Sequence, residues 1–118
     1  MSPKRLMLGT QGAERVDGRT VPSVTRLLVL SHRFNELVQT DVATDYADLA
    51  RLGHVTRARV TQIMNLLVLA PDIQAKILFW PPVTEGKDPI SARRIRDIVA
   101  ELDWRKQRTL YDWLLPSM

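Results

Sequence analysis

One short stretch holds the side chains most suited to chemistry: Thr56, Arg57, Ala58, Thr61, Gln62 and Asn65. Their spacing of three and four residues sets them on one face of a helix. Arginine can donate two bonds to guanine. Glutamine and asparagine can pair bidentately with adenine, and an Ala or Thr methyl can touch the thymine methyl. These types therefore suit base readout in a DNA major groove. Thr56 stands at the helix start, where backbone N–H groups can meet a phosphate. No acid occurs between Asp48 and Asp72, so Arg57 and Arg59 have no sequence neighbour to neutralise them. Arg93, Arg94 and Arg96 open a later helix, where cations oppose the dipole and cost a little stability. That placement suits a phosphate-facing surface. The expected division is base readout by Arg57, Ala58, Thr61, Gln62 and Asn65. Phosphate contact falls to Thr56, Arg59, Arg93, Arg94 and Arg96.

The elements that must position these residues follow from periodicity and caps. Pro22 suits a first helical turn, where its missing N–H costs nothing. Val24, Leu27, Leu28, Leu30, Phe34, Leu37 and Val38 then form one apolar face, fading near Thr40 to Ala43. Thr44 reads as an N-cap, with Asp45 and Asp48 in the first turn of a short helix that stops at Gly53. Capping explains this acid pair better than acid–base work. Thr56 caps the next helix, whose buried stripe is Val60, Ile63, Met64 and Leu67. Val60 and Ile63 follow Ala50 by ten and thirteen positions, and Val55 plugs the turn. This is the spacing of a helix-turn-helix over residues 45–67. The usual turn glycine directly before the plug is replaced by His54, with Gly53 one place earlier.

Pro71 starts a fourth helix with Ile73, Ile77 and Leu78 inward, ended by Trp80-Pro81-Pro82. Ser91 caps a fifth, with Ile95, Ile98, Val99 and Leu102 inward. Asp103 caps a sixth, from Trp104 to Leu115. Its stripe of Leu110, Trp113 and Leu114 serves either a homodimer contact or packing onto the first helix. Trp80, Trp104 and Trp113 read as core or interface. Arg105, Lys106 and Arg108 are balanced by Glu101, Asp103 and Asp112, which reads as a solvated face. No long segment alternates with period two, so no sheet is expected. The fold class is all-α, about six short helices around a central helix-turn-helix. Residues 1–21 carry three of the five glycines and four cations against two acids, and read as a flexible basic arm with an extended piece at Arg5 to Leu8. The helical domain spans 22–118.

Composition narrows the function. The chain has 118 residues and no cysteine, which excludes disulfides, thiolate nucleophiles and iron–sulfur clusters. His32 and His54 are too few for a His-rich metal site. No phosphate-binding glycine loop, GxSxG or HExxH occurs. Adjacent Ser31 and His32 point apart on a helix. No catalytic residue, metal or cofactor is expected. The net charge of +4 suits a polyanionic partner. No apolar run approaches membrane-spanning length, and the expected location is the cytoplasm, with no membrane partner.

Ala47 to Leu78 followed by Ile90-Ser-Ala-Arg-Arg-Ile-Arg-Asp-Ile98 resembles the central DNA-binding domain of ParB/KorB-type proteins. Three blocks carry the likeness in order: Val60-Thr-Gln-Ile-Met-Asn-Leu-Leu67, Pro71-Asp-Ile-Gln74 and Ile90-Ser91. The resemblance covers roughly residues 24–102. It implies a helix-turn-helix whose second helix binds DNA, supported by later helices. The 21 residues before Pro22 leave no room for the family's nucleotide-binding module, and no dimerisation domain is expected. ATP or CTP switching and chromosome partition are therefore not implied. The expectation is a stand-alone binder of specific double-stranded DNA sequences. Its role would be that of a small transcriptional regulator or a mobile-element accessory factor. The alternative is a helical protein-interaction module partnering a recombinase or another DNA-processing enzyme. A single-strand or RNA binder would need exposed aromatics along a groove, and most of the seven aromatics occupy apolar positions.

Overall fold

The computed structural model describes residues 15, 16, 18–84 and 87–116. The extended piece expected at Arg5 to Leu8 lies outside them. The fold is all-α, with six α-helices among the described residues. They are α1 (Ser23–Gln39), α2 (Tyr46–Gly53), α3 (Arg57–Met64), α4 (Pro71–Leu78), α5 (Ala92–Val99) and α6 (Trp104–Leu114). A 3₁₀ turn (Asn65–Val68) continues α3. One small extended element was not expected. Strands β1 (Arg15–Val16) and β2 (Arg19–Thr20) pair antiparallel, and Thr20 exchanges two backbone hydrogen bonds with Val83. Residues 19–20 are thus anchored to the α4–α5 link, with Thr20 buried.

Helix α1 divides the apolar interior. Its N-terminal half, with Val24 and Leu28, packs with Leu69, Ile73, Ile77, Ile95, Ile98 and Tyr111. Its C-terminal half centres on Phe34, packed with Leu49, Ala50, Val60, Ile63 and Met64 of α2 and α3. Leu27 touches both groups. Two buried hydroxyls on α1 are satisfied: Thr25 Oγ1 donates to the Ile77 carbonyl at 2.8 Å, and Ser31 Oγ to the Leu28 carbonyl at 2.6 Å.

Two helices end in the same way. After α1, Asp41 is left-handed (φ 62°), its N–H donates to the Val38 carbonyl, and the Val42 N–H reaches Leu37. After α2, His54 is left-handed (φ 57°), its N–H donates to the Arg51 carbonyl, and the Val55 N–H reaches Ala50. Both are Schellman caps, a position that favours glycine. The second closes the link from α2 to α3 with a non-glycine residue.

Several inward positions expected near helix ends are instead outside. Leu78 is exposed because α4 stops there, and Leu102 lies beyond α5, 84% exposed. Trp113 is 76% exposed and Trp104 is also exposed, while Trp80 is half-buried. The inward face of α6 is set by buried Gln107 and Tyr111, with Leu110 and Leu114 half-buried against the first core. Gln107 is a polar clamp. Its amide oxygen accepts from the Ala70 N–H at 2.8 Å, and its amide nitrogen donates to the carbonyls of Glu101 and Val68 at 2.7 and 3.3 Å.

Candidate nucleic-acid interface

Helix α3 is built to show one face. Thr56 is its N-cap, accepting from the Arg59 N–H at 3.1 Å. Val60, Ile63 and Met64 turn inward, and Val55 packs beside them. Thr56, Arg57, Ala58, Arg59, Thr61, Gln62 and Asn65 are all exposed. Asn65 caps the C-terminus, where the helix tightens into the 3₁₀ turn. Thr61 Oγ1 donates to the Arg57 carbonyl at 3.2 Å, and Arg59 Nη1 donates to Gln62 Oε1 at 3.4 Å. The Thr56 hydroxyl is engaged by capping. A phosphate at this end would therefore meet the backbone N–H groups of the first turn.

The short helix before it begins one residue later than its composition suggests. Asp45 is the N-cap of α2, accepting from the Asp48 N–H at 2.9 Å. Thr44 instead donates its backbone N–H to Asp48 Oδ2 at 3.0 Å. Asp48 thereby bonds both residues before the helix, its N–H to Asp45 and its carboxylate to Thr44.

Helix α5 brings the second set of arginines. Ser91 caps it, accepting from the Arg94 N–H at 3.2 Å, and Ile95 and Ile98 are buried. Arg93, Arg94 and Arg96 are exposed. Residues from α3 and α5 meet at one place. A cleft of about 110 Å³ is lined by Arg59, Gln62, Ile63, Leu66, Ala92, Ile95 and Arg96, with Val24 and Leu27 of α1. Arg96, far in sequence from Arg59 and Gln62, thereby shares one site with them.

The carboxylates nearest α3 in sequence are already engaged, while Asp97 stands in α5 itself, next to Arg96. Asp48 pairs with Arg51, and Asp72 with Arg108 at 2.9 Å. The Thr44 backbone N–H and the Arg51 guanidinium hold the Asp48 carboxyl below its ordinary value. The Arg108 hydrogen bond does the same for Asp72. Among the described residues, none of Arg57, Arg59, Arg93, Arg94 and Arg96 forms an ion pair with a carboxylate. No three His, Asp or Glu side chains gather there in a metal-binding group. Among the described residues, no helix is long and apolar enough to cross a membrane.

One further residue positions these helices. Helix α1 begins at Pro22, which offers no side-chain cap. Asp88 supplies one from the link before α5, accepting from the N–H groups of Ser23 and Val24 at 3.1 Å each. It ties the entry of α5 to the start of α1 and so helps set α5 beside α3. A partner so distant in the chain leaves no local signal in composition or spacing.

No protein-family model, curated protein or solved structure matches the chain.

Proposed function

We propose that the chain binds double-stranded DNA in a sequence-specific manner, with α2, the turn at His54 and α3 acting as a helix-turn-helix of the ParB/KorB type. Helix α3 enters the major groove, where Arg57, Ala58, Thr61, Gln62 and Asn65 read base edges. Thr56, Arg59, Arg93, Arg94 and Arg96 meet the phosphates. The observation that carries this reading is the exposed, carboxylate-free face of α3 with the α5 arginines across a shared cleft. Such a surface is costly to leave positive unless an anion covers it. The role that fits is a small regulator or an accessory factor of a mobile element, working in the cytoplasm, with a homodimer matching a palindromic site.

A second reading is supported by a different observation. Phe79, Leu102 and Trp113 are 85%, 84% and 76% exposed, and large apolar side chains in contact with water suit a protein partner. In that reading the chain is an interaction module for a recombinase or similar enzyme. Retention on immobilised mixed-sequence duplex, eluted with a salt gradient, separates the two. The DNA reading expects late elution that moves earlier in the Arg57→Ala and Arg94→Ala variants. Flow-through at low salt would overturn it and favour the interaction module.

A further inference from the structure

We propose that the cleft between α1, α3 and α5 binds a small amphipathic carboxylate, one ring or branched chain with a single anionic head, and that its binding displaces duplex DNA. The displacement rests on the DNA-binding reading above; the binding site does not.

The floor and rim of the cleft differ in chemistry. Its floor is made by buried Val24, Ile63, Leu66 and Ile95. Arg59, Gln62 and Arg96 also line the cleft, and all three are exposed. No carboxylate lines it, and neither arginine pairs with one elsewhere among the described residues. Two cationic residues lining one small cleft, with no carboxylate beside them in that lining, give it a positive potential. An anion bound there offsets this potential, and guanidinium groups bind carboxylates in a forked geometry. A bare anion would leave the floor wet. A ligand with an apolar body removes that surface from water as its head meets the arginines.

Size limits the body. An enclosed cavity of about 150 Å³ holds a benzene ring. A cleft of about 110 Å³ takes one ring or a branched chain partly sunk, and nothing much larger. Such a ligand would cover Arg59, Gln62 and Arg96 together. These are two phosphate contacts and one base-reading residue, so ligand and duplex compete for the same atoms. The site has the form of an effector pocket set directly in the DNA-facing surface.

The probes are benzoate, the neutral isostere benzyl alcohol, and inorganic phosphate, titrated into the full chain without DNA and followed by backbone amide chemical shifts. Benzoate should give saturable shifts centred on α3, α5 and the start of α1, with Kd of about 1–10 mM, as befits a ligand of this size. Arg59→Gln with Arg96→Gln should weaken it about tenfold or more, while Arg105→Gln with Lys106→Gln leaves it unchanged. Benzyl alcohol and phosphate should each bind much more weakly. Equal binding of phosphate would overturn the need for an apolar body, and equal binding of benzyl alcohol the need for an anion. Shifts centred elsewhere, or none, would overturn the site. Benzoate should then release bound duplex at constant ionic strength. Binding without release would overturn the competition. A chain that takes benzoate but no duplex would instead refute the DNA-binding reading and leave the site standing.

Discussion

On α3 and α5, Arg57, Arg59, Arg93, Arg94 and Arg96 meet no carboxylate among the described residues, whereas on α6 Arg108 donates to both oxygens of Asp72 at 3.1 and 2.9 Å. Both sets are basic residues on exposed helix faces. They differ in what the neighbouring sequence supplies. Asp72 opens α4 and reaches across to α6, while the 23 positions between Asp48 and Asp72 hold no acid at all. The α6 pair is therefore self-contained and needs no outside anion. The α3–α5 set has no such pair, although Asp97 lies in α5, and in the proposed reading the phosphates of DNA supply its counter-charge. Counting lysines and arginines treats all of them alike; the Asp72 pair sets Arg108 apart, whereas Arg105 and Lys106 of α6 form no ion pair among the described residues.

That contrast can be broken by mutation. The largest effect is expected at base-reading positions. Arg57→Ala or Gln62→Ala should cost about 1–3 kcal/mol of binding to a preferred duplex and relax its sequence choice, while the melting temperature stays unchanged. Competition binding with single-base variants checks this. A smaller effect concerns the turn that aims α3. His54 is left-handed, a conformation that costs a non-glycine residue about 1–2 kcal/mol. His54→Gly should raise stability to denaturant by about 1 kcal/mol, part of the relief being offset by greater freedom of the unfolded chain. The charged face would be left intact. Phosphate contacts should act more evenly. Arg94→Ala should weaken binding alike across sequences and reduce the slope of log K against log salt by about 0.9. If Arg94→Ala changed sequence choice as Gln62→Ala does, the division between α3 and α5 would fail.

The smallest effect is expected on the paired side. Arg108→Ala should leave duplex affinity unchanged at constant salt, apart from the general loss of one charge. Its signature is in acid. The Arg108 hydrogen bond holds the folded Asp72 carboxyl below 3.8. The resulting stability is present above pH 3.8 and is lost as pH falls through the lowered folded value. Acid unfolding of the variant should therefore lack that part of the pH dependence, and the gap to the parent chain should close at low pH. Circular dichroism across that range measures it.

Much of this arrangement was legible in the sequence because helix starts are local. Pro22, Thr56, Pro71, Ser91 and Asp103 each mark a helix start within a residue of where it lies. The outward face of α3 follows from the stripe of Val60, Ile63 and Met64. Errors gathered where local signals compete or run out. Thr44 and Asp45 are both good caps, and Asp48 selects Asp45 by bonding Thr44 itself. Leu78, Leu102 and Trp113 lie at or near helix ends, where an apolar residue continues the pattern although no neighbouring element covers it. The Asp88 cap, the Gln107–Ala70 bond and the Thr20–Val83 pairing join positions 37 to 65 residues apart, and periodicity carries no information on them. The shared cleft belongs to the same class, since α3 and α5 meet only through the fold.

Selection from a random duplex library with the full chain, repeated with Gln62→Ala, tests the central claim most directly. The account predicts a defined enriched sequence for the parent chain, lost or relaxed at one or two base pairs in the variant, and palindromic if the chain acts as a symmetric dimer. Identical libraries before and after selection, or the same enriched sequence with and without Gln62, would contradict it.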